Sequence, residues 1–149
     1  MLFGDDGFGP RVAETLQKAC RIPEGVKVMN AGSSVRNILF DIVLAEKKPE
    51  NIIIVDAIDD GRTHGEIFEI SIEDIPEKKI DDFSMHQIPT SNLLKELRDL
   101  CNIKVSVIAV QVENIPEIAN MMLSRTVSAA IPKACEMVLK KITQISKIA

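Results

Sequence analysis

Apolar positions along the chain fall into two alternating rhythms, a helical spacing and short runs dense in β-branched residues. Gly9-Pro10 opens a predicted helix, since proline is favoured at the first helical position, and Val12, Ala13, Leu16 and Ala19 give it an apolar stripe. Pro23 to Gly25 break the chain, and Val26-Lys27-Val28-Met29 reads as a short strand. Ser33 or Ser34 can cap a second helix with the stripe Val35, Ile38, Leu39, Ile42 and Val43. After a polar loop, Ile52-Ile53-Ile54-Val55-Asp56-Ala57 reads as a strand buried on both faces. Glu66 to Ile72 predicts a further strand with Phe68, Ile70 and Ile72 on one face. Thr90 or Ser91 caps a helix carrying Leu93, Leu94, Leu97 and Leu100, and Ile103 to Val112 is another β-branched run. The last helix is expected from about Thr126 to Lys147, striped by Val127, Ile131, Cys135, Val138, Ile142 and Ile145, with Pro132 near its first turns or kinking it.

Strands alternating with helices predict an α/β fold: three layers, a mostly parallel sheet with helices on both faces, and one domain over residues 1–149. Ligands of such sheets bind beyond the carboxyl ends of strands. Asp56 ends its strand there, and the loop Asn30-Ala31-Gly32 is expected to leave at the same edge.

Composition narrows the function. Of the 149 residues, 46% are hydrophobic and 27% charged, which describes a globular domain rather than a disordered one. A net charge of -4 without a basic block argues against nucleic acid as the partner. No apolar run reaches the roughly 18 residues needed to span a bilayer, and Asp5 and Asp6 stand where a secretory signal would need its apolar core. Cys20, Cys101 and Cys135 are odd in number and widely spaced, which fits reduced thiols in the cytoplasm rather than a disulfide framework.

The candidate chemistry lies in three places. Asp5 and Asp6 sit between Gly4 and Gly7, just ahead of the first helix. Acids there are also what a helix dipole favours, whereas the flanking glycines point to a special backbone. Asp56 closes an apolar strand, where an unpaired buried carboxylate is costly; a turn or capping role is the alternative. His86 follows Phe83-Ser84-Met85, while His64 lies in a loop tip, Gly61-Arg62-Thr63-His64-Gly65. Two carboxylates and one imidazole would suit zinc or nickel with an open position for water or substrate. Their scattered spacing is not diagnostic, and no H-E-x-x-H occurs.

Three segments in order carry a resemblance. Leu2-Phe3-Gly4-Asp5-Asp6-Gly7-Phe8-Gly9, Ile54-Val55-Asp56-Ala57 and Ser84-Met85-His86-Gln87 resemble the motifs of the hydrogenase maturation endopeptidases, and Ser128 to Ala134 resembles the start of that family's last helix. Gly32 to Asp41 is most similar to the branch serving the deazaflavin-reducing hydrogenases of methanogens. The resemblance implies a cytoplasmic peptidase that removes a C-terminal extension from the nickel-loaded large-subunit precursor of a [NiFe] hydrogenase. It implies Asp6, Asp56 and His86 as metal ligands. The nickel would be supplied by the precursor, with zinc or another divalent metal able to substitute. A metal-activated water and an aspartic-type mechanism both remain open, with Asp5 and Asn30 as weaker catalytic candidates.

Two departures from the family's pattern shape the alternatives. Asn30-Ala31-Gly32-Ser33 stands where the family has Asp-x-Gly-Thr, and an amide cannot supply charge or act as a base. The chain also begins inside the turn that ends the family's first strand, which predicts a sheet truncated by one strand with an unpaired edge. A docking chaperone that holds the same precursor without cutting it is therefore a second reading. An unrelated nucleotide-binding α/β domain is a third, disfavoured because the acidic pair would repel phosphate.

Overall fold

The computed structural model describes residues 7–72, 91–113 and 122–148. Among them are helix α1 (Phe8–Ala19), a 3-10 turn (Gly32–Ser34), α2 (Val35–Leu44), strands β1 (Asn51–Ile58) and β2 (Ile67–Ile70), α3 (Ser91–Asp99), β3 (Lys104–Gln111), α4 (Arg125–Ala129) and α5 (Ile131–Ile148). The sheet order is β1-β3-β2. β1 runs parallel to β3 over eight residue pairs, from Asn51 opposite Lys104 to Ile58 opposite Gln111. β2 is antiparallel to β3, with Ile67 opposite Val110 and Ile70 opposite Val107. The sheet is thus mixed, with its antiparallel strand at one edge.

Side chains alternate across the strands and sort into two cores, one on each face. On one face Ile108, Val110 and Val112 pack with Phe8, Val12 and Leu16 of α1 and with Val127, Ala134, Cys135, Val138 and Ile142 of α4 and α5. On the other, Val107, Ala109 and Phe68 pack with Leu39 of α2 and Leu93, Leu94 and Leu97 of α3. Helices therefore cover both faces, as the alternation of elements predicts. Lys141 Nζ of α5 donates to the Glu69 carboxylate of β2.

Several local expectations are corrected. The strand buried on both faces is β3, whereas Ile52 to Val55 of β1 are only half-buried. β1 is an edge strand here: among the described residues nothing pairs with its side away from β3. Val26 to Met29 form no strand. Val26 and Val28 rest on the α1 side of the core, and the Val28 carbonyl accepts from Gln17 Nε2 at 2.9 Å, so a side chain takes the place of a ladder partner. The last helix is two, interrupted at Ala130, with Pro132 the second residue of α5, where a missing N–H costs nothing. Leu100 lies past the end of α3 and is exposed. Ser34 occupies the cap position of α2 without a side-chain cap; a 3-10 turn leads in instead.

The start of α1 lies against β1. A Cβ on Gly9 would stand 2.5 Å from the Val55 carbonyl oxygen, closer than any side chain tolerates, so only glycine permits this approach. Because the obstacle is backbone, Gly9→Ala should destabilise the fold by about 1–3 kcal/mol in urea unfolding.

Cys135 is buried beneath α1, and its burial, with the Cys20 thiol adding to it, pushes its thiol above the ordinary value. A raised acid stabilises the fold fully below the unfolded thiol value of about 8.5, and that contribution is lost as pH rises through the folded value. Between pH 8 and pH 10.5, on the order of one thiol titration, the parent should lose more unfolding free energy than Cys135→Ala. Unequal slopes of the opposite sign would contradict the burial.

Candidate active site

The carboxyl ends of β1 and β3 lie side by side. Asp56 pairs with Ala109, which in turn pairs with Phe68 of β2. Alternation sets Asp56 on the α2–α3 face, between Ile54 and Ile58. The side chain is half-buried, and Oδ1 accepts the N–H of Ala57 at 2.8 Å. That bond to the next amide orients the carboxylate at the strand's end.

The loop after β1 is tied to the end of β3 by one residue, Gln111. It is the one buried polar side chain among the described residues. Its Oε1 accepts the N–H of Asp60 at 2.8 Å and that of Arg62 at 3.0 Å. Its Nε2 donates to Asp59 Oδ1 at 3.0 Å and to the Val112 carbonyl at 3.2 Å. Its backbone N–H donates to Glu66 O and its carbonyl accepts from Gly65 N, each at 2.9 Å. Both lone pairs and both protons of the amide are used, and only Asn or Gln offers that set in neutral form.

Gly65, at φ +80°, is where the loop turns into β2; a Cβ there would stand 2.8 Å from the Thr126 carbonyl. Thr126 Oγ1 in turn donates to Glu113 Oε2 at 2.7 Å, joining the end of β3 to α4. Arg62 closes the other side. Its guanidinium pairs with Glu66 at 2.9 Å and Asp60 at 3.0 Å and lies 4.0 Å from the centre of the Phe68 ring. Glu66 first, then Asp60, raise its pKa above the ordinary value.

Asn30 is exposed, and its Oδ1 accepts the Gly32 N–H at 3.2 Å, beginning the turn that leads into α2. The amide thus supplies the turn-forming acceptor expected of it. His64 is exposed in the loop tip. Asp5, Asp6 and His86 lie outside the described residues. Among the described residues no group of three or more His, Cys, Asp or Glu side chains is gathered as a metal site. Of the expected ligand set only Asp56 is therefore placed. The sequence reading missed Gln111. Its one signal was a lone amide near the end of an apolar run, Val105 to Val112.

Known proteins share both the sequence and this architecture. A hydrogenase maturation protease family model matches residues 10–141. A Methanocaldococcus jannaschii protein, provisionally named a hydrogenase maturation protease, is 37% identical over 144 residues, covering 95% of this chain and 90% of its own. The coenzyme F420 hydrogenase subunit delta of Methanothermobacter thermautotrophicus is 32% identical over 147 residues, covering 95% and 89%. The solution structure of an endopeptidase from Escherichia coli superposes with a TM-score of 0.78 at 25% identity, covering 96% of this chain and 86% of that one.

The Gln111 bonds predict a specific pattern of stability. Gln111→Glu turns a carboxylate toward the Asp59 carboxylate and the Val112 carbonyl, and should cost about 2–4 kcal/mol. Adding Asp59→Asn supplies a donor where the acceptor was, and should recover about 1 kcal/mol or more in a double-mutant cycle. Additive losses in that cycle would mean that the two side chains do not interact.

Proposed function

Because the chain belongs to the hydrogenase maturation protease family, we infer that it is an endopeptidase that trims a hydrogenase large-subunit precursor at its C-terminal extension. The observation that carries the site is the seat of Gly9 on Val55. Asp6 precedes Gly9 by three residues and Asp56 follows Val55. Gly9, three residues after Asp6 in the chain, is thus held at the strand end that bears Asp56.

In this reading Asp6, Asp56 and His86 complete the coordination of nickel that the precursor itself carries. Nickel is thus part of the substrate, and a zinc or other divalent ion could stand in for it. The metal would polarise the scissile carbonyl or acidify a water. The chain's own part is to hold its carboxylates at the strand end. Asp56 is already oriented there by the Ala57 amide. The likeness to a coenzyme F420 hydrogenase subunit supports the large subunit of a deazaflavin-reducing hydrogenase as the substrate. The three free cysteines support a cytoplasmic reaction, and no helix among the described residues is long and apolar enough to cross a membrane.

A second reading keeps the binding and drops the cleavage. It rests on Asn30, a neutral side chain where the family's pattern has an acid. One experiment separates the two. Purified protein mixed with nickel-loaded precursor should shorten it on a denaturing gel, and His86→Ala or Asp56→Ala should lower the rate by about a hundredfold or more. Precursor without nickel should stay full length. Binding without shortening, unchanged by Asn30→Asp, would favour the docking reading. Equal cleavage of nickel-free precursor would defeat recognition through the metal.

A further inference from the structure

The amide of Gln111 does something a core residue has no need to do. It is 2% exposed, yet every polar atom of its side chain is engaged, and three of the four bonds go to the loop after β1. In the parallel register Gln111 stands opposite Ile58, two positions beyond the Asp56–Ala109 pair. Paired residues of neighbouring strands share a face, and so do residues two apart. Gln111 and Asp56 therefore face the same side of the sheet at its carboxyl end. The loop Asp59–Arg62 starts three residues after Asp56 and is held at its first, second and fourth residues by that one amide. Arg62, drawn in by its own amide, is fixed further by Asp60, Glu66 and the Phe68 ring.

We propose that Gln111 is a positioning residue for peptide cleavage: it fixes the loop Asp59–Arg62 as a rigid wall beside Asp56, against which the extended tail of the precursor is aligned. The proposal rests on the endopeptidase reading above. The wall offers an extended peptide a polar rim, made of the Asp59 and Asp60 carboxylates and the Arg62 guanidinium, at the carboxyl end of the sheet. A preordered wall spares the loop's ordering cost when the tail docks. Releasing it would weaken productive binding while leaving the Asp56 carboxylate itself in place.

The test is steady-state cleavage of nickel-loaded precursor by the full chain. Gln111→Met keeps the length of the side chain and removes all four bonds. Asp59→Ala removes the carboxylate that accepts from Gln111 Nε2 and from the Gly61 N–H at an exposed position, so it keeps the question answerable if Gln111→Met fails to fold. Val138→Ala, in the core on the opposite face, controls for lost stability. Gln111→Met should raise KM on the order of tenfold with kcat within about threefold of the parent, Asp59→Ala should raise KM less in the same direction, and Val138→Ala should leave KM unchanged. Parental KM in both loop variants overturns the proposal, as does an equal rise in Val138→Ala. A parent that leaves the precursor intact sinks the endopeptidase reading itself, and the proposal with it. A parent that cuts while the loop variants match it sinks the proposal alone.

Discussion

The register between β1 and β3 is the constraint on which the site depends. β3 is bonded along both edges, and Val107, Ile108, Ala109 and Val110 are buried on alternating faces. Burying Val or Ile side chains of this kind is worth on the order of 2 kcal/mol each, so the position of β3 is strongly determined. β1 takes its alignment from β3. Because the side-chain period of a strand is two, a slip of one residue would turn Asp56 toward the α1 face and carry Ile53 and Val55 to the other. The same slip would move the loop after Ile58 away from Gln111. One pairing therefore sets which face the acid occupies and whether the loop beyond it is held.

Backbone contact adds a second constraint to that register. Val55 neighbours Asp56, and its carbonyl oxygen is the atom against which Gly9 rests. A helix can come that close to a strand only where it has no side chain. The position of α1 is thus coupled to the strand end bearing Asp56 rather than only to the greasy face of the sheet. Phe8, Val12 and Leu16 then bury the rest of the helix in the core it shares with α5. The sequence Gly7-Phe8-Gly9-Pro10 combines the requirements of close approach, anchoring and helix initiation in four residues.

Much of this was legible in the amino-acid pattern, and the gaps have physical causes. The runs at Ile52 to Ala57 and Ile103 to Val112 carry strands β1 and β3, and the stripe from Val127 to Ile142 is buried on one face as its spacing predicts. What a run of β-branched residues could not reveal is its place in the sheet. Ile52 to Val55 and Val105 to Val110 are similar in composition, but among the described residues one lies at the edge of the sheet and the other is central. Val26-Lys27-Val28-Met29 has a strand's composition without a strand partner among the described residues, and local sequence carries no record of partners. Gln111 was hidden for the opposite reason. A single amide in an apolar run looks like an ordinary interruption, and its importance lies in four bonds that reach up to 52 residues away. Residue chemistry alone singled out Asp5, Asp6, Asp56 and His86 as a possible metal set, the family resemblance narrowed it to Asp6, Asp56 and His86, and of these only Asp56 lies among the described residues.

Asn30 shows how a change of charge can leave geometry intact. Its Oδ1 accepts the Gly32 amide and so begins the turn that delivers the chain into α2. A carboxylate at the same position would accept the same bond with comparable geometry. The turn therefore has no need of an acid, and an aspartate there would differ from Asn30 chiefly in carrying a charge. The structural job at residue 30 is thus met in full by an amide, and a carboxylate there would add charge without adding to the turn.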